Sequence, residues 1–95
     1  MKLDLSLNNS NLYAGCEVGE VGGRQTLLTS SGEASNIVGR NVGKWIDSQN
    51  DRSEVTLTGP MAVWSYLIVF HQVVHKFGKV FYDDGRSGPV LISQH

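Results

Sequence analysis

The chain is short of the residues that mark several large functional classes. It has one cysteine, Cys16, among 95 residues. That excludes an internal disulfide and any four-cysteine zinc site. Cys16 lies between Ala14 and Val18 in an alternating stretch and reads as a small core residue, not a reactive thiol. Basic side chains number 8 against 9 acidic ones, for a net charge of −1. No run of Lys or Arg is present to follow a phosphate backbone, so a basic nucleic-acid coat is excluded and no DNA partner is expected. A polyanion would have to be held by backbone N–H groups, helix ends, a metal ion or a few placed cations. The N-terminus lacks the apolar core of a signal peptide. The longest apolar run, Met61 to Phe70 broken by Ser65, is too short to span a bilayer. The expectation is a soluble, cytoplasmic protein with no membrane partner, and residues 1–95 form a single domain.

Apolar periodicity sets out the elements. Residues 2–7 alternate, with Leu3, Leu5 and Leu7 on one side and Lys2, Asp4 and Ser6 on the other, as in a half-buried strand. The cluster Asn8-Asn9-Ser10-Asn11 reads as a turn, and residues 12–18 alternate again, which predicts an N-terminal β-hairpin. Residues 24–31 are ambiguous. Over 33–48, Ala34, Ile37, Val38, Val42, Trp45 and Ile46 recur at helical spacing. Gly39 and Gly43 stand four apart on that helix and are read as a close-packing face. Residues 54–58 form a strand. A second helix is expected from Pro60 to about Lys76, with Pro in its first turn and apolar residues almost all round. Such a helix is buried on several sides, and in so small a chain a second subunit is the natural cover. Strands at 79–83 and 89–94 complete the order β-β-α-β-α-β-β. The unit from 54 to 83 is a parallel β-α-β crossover, so the fold class is α/β with a mixed sheet.

Parallel strands place ligands beyond their carboxyl ends. Thr58-Gly59 ends one such strand and Asp83 the other, and the start of the second helix reaches the same edge with free N–H groups. Thr58, Gly59 and Asp83 therefore make one candidate site. Arg86, in the following loop, is placed to meet a phosphate or to pair with Asp84. His71 and His75 stand four apart on one helix face, a spacing at which two imidazoles can chelate a metal. Met61 to His75 rises roughly 20 Å, so His75 belongs at the opposite edge from Asp83. One subunit cannot bring both to one substrate atom; joint action requires two copies. His95, as the last residue, is expected to be disordered.

The residues from 55 to 95 also carry a family pattern: Thr58-Gly59 after an apolar strand, then Trp64, His71, His75, the pair Tyr82-Asp83, a nearby Arg, an apolar strand and His95. In this run the chain resembles the csx-three family of CRISPR-associated proteins, the third family of ring nucleases. The resemblance implies a small Rossmann-like fold related to CARF sensor domains, and homodimers that assemble into a tetramer around the ligand. It implies manganese-dependent cleavage of cyclic tetra-adenylate, with related activity on RNA 3′ ends. The catalytic His and Asp of the family map to His75 and Asp83. Asp84 departs from the family pattern, which commonly has Pro there. Three functions are thus expected in competition: a phosphodiesterase in which His75 moves protons and Asp83, with His71, holds a divalent cation; a non-catalytic sensor or RNA-binding module; or a structural oligomer or metal-binding protein in which His71 and His75 chelate across an interface.

Overall fold

A computed structural model describes all 95 residues. The elements are β1 (Lys2–Asp4), β2 (Val18–Val21), β3 (Arg24–Leu27), α1 (Ser31–Asp47), β4 (Glu54–Thr58), α2 (Val63–Val73), β5 (Lys79–Asp83) and β6 (Val90–Gln94). Strands β1, β4, β5 and β6 form one sheet in that order, parallel except for β6; β2 and β3 form a separate two-stranded hairpin. The domain is a small α/β unit with a mixed sheet and two helices, as expected. The expected order is corrected to β-β-β-α-β-α-β-β.

The correction lies at the N-terminus. Residues 2–7 and 12–18 do not pair with each other. β1 instead runs parallel to β4, with Asp4 opposite Thr58. Beyond Leu5 the chain leaves the sheet and satisfies its backbone with side chains. The Asn9 amide donates to the Asp4 carbonyl and the Asn41 amide to the carbonyls of Leu12 and Ala14. Tyr13 is buried, and its hydroxyl donates to the Leu5 carbonyl and contacts the Ser65 hydroxyl at 3.0 Å. Local side-chain bonds of this kind compete with a strand ladder. The hairpin falls later because Gly22 and Gly23 both take positive φ, 59° and 78°, the backbone of a two-residue turn between right-twisted strands.

The core is built from alternate strand residues and one stripe on each helix: Leu3, Val55, Leu57 and Val80 meet Val38, Val42 and Ile46 of α1 and Val69 and Val73 of α2. The close-packing reading of the α1 glycines holds. A Cβ on Gly39 would lie 3.2 Å from Gln72 Nε2, which donates to the Gly39 carbonyl. Cys16 is half-buried against the core, and burial, with Glu33 nearby, pushes its thiol pKa up. α2 begins at Val63, three residues after Pro60, so Pro60 lies in the preceding loop rather than the first turn. No helix is long and apolar enough to cross a membrane.

Candidate functional site

The three parallel strands end in one row, Asp4–Thr58–Asp83. Thr58 is tied across it, its hydroxyl donating to the Asp83 carbonyl at 2.9 Å. Asp83 is half-buried, and its Oδ1 accepts the Gly85 N–H at 2.8 Å; Asp84 Oδ1 accepts the Arg86 N–H at 2.9 Å. These are successive side-chain turns of the kind that fix a loop. A cleft of about 480 Å³ opens here, lined by Thr58, Gly59, Pro60, Tyr82, Asp83, Asp84 and Gly85. Sequence reasoning thus placed Thr58, Gly59 and Asp83 together. Arg86 is exposed in the adjoining loop and does not line the cleft.

Gly59 is required by what surrounds it. Its φ is +100°, and a Cβ would lie 2.2 Å from Asp4 Oδ1 and 3.0 Å from the Ser6 nitrogen. Asp4 is held in turn: Oδ1 accepts the Ser6 N–H at 2.8 Å and Oδ2 the Ser6 hydroxyl at 3.0 Å. Asp4 is the residue that sequence reasoning missed. The alternation in 2–7 placed it on a polar strand face, but nothing in the pattern said that β1 would lie beside β4. The Tyr66 hydroxyl donates to the Gly59 carbonyl, and its ring meets Tyr82 edge-on at 5.4 Å. Burial, assisted by Tyr82 and Asp4, pushes the Tyr66 pKa up to about 12. Tyr66 is therefore a hydrogen-bond donor at neutral pH and not a base.

The histidines lie at the other end. His71 and His75 are exposed, with ring centres 5.9 Å apart and planes nearly perpendicular. They line a shallow groove of about 310 Å³ with Asp47, Gln72 and Lys76. His75 also borders a second groove, of about 430 Å³, with His95. His95 is not loose at this end: its backbone N–H donates to the Gly78 carbonyl at 2.7 Å, just before β5. From Gly78 to Asp83 the strand spans roughly 16 Å. Within one chain the histidines and Asp83 stay apart, as the helix length implied. No group of three or more His, Cys, Asp or Glu side chains is arranged to hold a metal ion.

The chain matches no protein-family model, no curated protein and no solved structure.

Proposed function

We propose that the protein is a phosphodiesterase acting on cyclic tetra-adenylate, and on short RNA ends of the same chemistry, at a site completed by a second copy of the chain. One observation carries this reading: Thr58, Gly59 and Asp83 line one cleft at the carboxyl ends of parallel strands, while His71, His75 and His95 gather at the far end. The resemblance over residues 55–95, with its Rossmann-like, CARF-related fold and its homodimer assembling to a tetramer, points the same way, and a cytoplasmic setting is proposed with it.

The chemistry follows from the residues. A ribose 2′-OH beside a linking phosphate attacks phosphorus. The O2′–P bond forms, the P–O5′ bond breaks and a 2′,3′-cyclic phosphate end remains. His75 takes the 2′-OH proton as general base; the 5′ oxygen leaves with a proton supplied by a general acid or by water. Thr58 and the backbone beside Gly59 position the ring. The resemblance implies Mn²⁺, and the residues read as its ligands are Asp83 and His71. In one chain these two stand at opposite ends, and no group of three or more His, Cys, Asp or Glu side chains is arranged to hold an ion. A single chain does not fit the ion, and no step here runs through it.

A second reading is a non-catalytic sensor of the same ligand. It needs only the cleft lined by Thr58, Gly59 and Asp83, which contains no imidazole. The experiment is incubation of the purified protein with cyclic tetra-adenylate in manganese or in EDTA, with product analysis beside His75→Ala. Ring opening, lost in the variant, is the expected result, and the manganese and EDTA arms show whether a divalent cation takes part. Tight binding of an intact ring leaves the sensor, and neither cleavage nor binding overturns both readings.

A further inference from the structure

Strand β1 lies at an edge of its sheet, with only β4 beside it. The Thr56 N–H donates to the Met1 carbonyl at 2.9 Å, and the Leu5 N–H to the Thr58 carbonyl at 2.8 Å. In a parallel ladder the backbone groups of successive residues point to opposite sides of the strand. Met1, Leu3 and Leu5 therefore face β4, while Lys2 and Asp4 face outward. The Asp4 carbonyl is taken by the Asn9 amide at 2.8 Å. The Lys2 carbonyl and the Asp4 N–H have no partner in the chain. Such edge groups are ready to pair with whatever brings the complementary donor and acceptor.

This edge borders a groove of about 270 Å³, lined by Lys2 and Asp4 together with Asn9, Leu12, Asn41 and Trp45. Its walls are fixed by bonds made elsewhere. Asn9 joins the Asp4 carbonyl to the Leu12 N–H, and the Asn41 amide donates to the carbonyls of Leu12 and Ala14. Trp45 is held by its stack on Phe77 at 5.8 Å. A preformed groove with an aromatic wall and a few placed polar groups is the ordinary form of a small-molecule site. Its volume lies just under the usual range of roughly 300–1,000 Å³, which suits a single ring system.

We infer that this groove binds an adenine base. The exocyclic amino group donates to the Lys2 carbonyl, the adjacent ring nitrogen accepts the Asp4 N–H, and the ring packs against Trp45. A strand carbonyl and the N–H two residues on present an acceptor and a donor side by side, and adenine carries the complement along one edge. Hypoxanthine and guanine carry the reverse: a carbonyl oxygen in place of the amino group, and an N–H in place of the ring acceptor. Each backbone group would then meet its own kind and stay unpaired. A peptide strand would bring the right pair, but Asn9 already holds the next acceptor, so a strand cannot run on past Asp4. The groove is separate from the cleft at Thr58, Gly59 and Asp83, and adenine binding here does not depend on ring opening there.

The test is an NMR titration of the isotope-labelled full chain with adenosine 5′-monophosphate, beside inosine 5′-monophosphate. The Asp4 amide and the Trp45 indole N–H should shift saturably, while the Gly85 amide, in the other cleft, stays in place. The inosine nucleotide should bind at least about tenfold more weakly. Asn11 is exposed and lines the groove. Asn11→Phe should fill it and lower the affinity for the adenine nucleotide at least about tenfold, with Tm unchanged. Four results would overturn the inference: no saturable shift, equal binding of the two nucleotides, shifts confined to the cleft at Gly85, or undiminished binding by Asn11→Phe. A chain that binds the adenine nucleotide here but neither binds nor opens cyclic tetra-adenylate keeps this site and loses the phosphodiesterase; ring opening with no shift at Asp4 does the reverse.

Discussion

At the carboxyl end of the sheet, Ser6 is bonded to Asp4, Thr58 to Asp83 and Tyr66 to Gly59, and Gly59 meets Asp4 with no room for a Cβ. At the amino end, His71, His75 and His95 are all exposed and line shallow grooves. The first region is over-determined, so its residues are needed for the fold whether or not a ligand binds. The second is held mainly through its backbone, and its side chains contribute little to stability. A substitution at the carboxyl end therefore confounds folding with function, whereas one at the histidine end reads out function almost alone.

The largest test of that contrast is Gly59→Ala. The new methyl meets the Asp4 carboxylate and the residue must hold φ near +100°, so the loss should be about 3 kcal/mol or more. Urea unfolding measures it. Because the clash is with the Asp4 side chain, Asp4→Ala combined with Gly59→Ala should cost clearly less than the two single losses together. Additive losses would mean that the backbone angle, not the contact, sets the requirement.

Asp4→Ala alone comes next, at about 1–2 kcal/mol, because both carboxylate oxygens accept from Ser6 and the Ser6 N–H would lose its partner. Tyr66→Phe should cost about 1 kcal/mol through the lost bond to the Gly59 carbonyl. Tyr66 also gives the carboxyl end a pH signature. Its folded pKa, pushed up to about 12, lies above the unfolded value near 10.0. The unfolded chain therefore loses this proton first, and stability falls as pH rises from 10.0 towards 12. Denaturant melts over that window should show a steeper alkaline loss in wild type than in Tyr66→Phe. Equal slopes would show that the Tyr66 proton is not linked to folding.

Much of this arrangement was legible in the residues. Apolar alternation placed β4, β5 and β6 within a residue, because each carries its own period and a Gly or Pro boundary. The meeting of Thr58, Gly59 and Asp83 followed from the parallel crossover alone. Asp4 was not legible. Its place depends on β1 pairing with a strand some fifty residues away, and alternation records which face a residue occupies but not which strand lies alongside. The hairpin at 18–27 was missed for a related reason. Residues 24–31 carry no clear period of their own, while Leu12 and Tyr13, which alternate like strand residues, are buried in turns fixed by Asn9 and Asn41. His95 was set aside by its terminal position, which gave no sign of its bond to Gly78.

The smallest expected effect separates the two ends most sharply. His71→Ala and His75→Ala should each change stability by no more than about 0.5 kcal/mol, since both rings are exposed and removing them leaves no buried group unsatisfied. The rings meet edge-on at 5.9 Å, a contact that water competes with at the surface. Urea melts of the two variants should therefore overlay on wild type, while the ring-opening rate of His75→Ala collapses and ligand affinity is kept. If His75→Ala instead lost stability in proportion to its lost activity, the imidazole would belong to the scaffold as Gly59 does, and the contrast between a built end and a free end would fail.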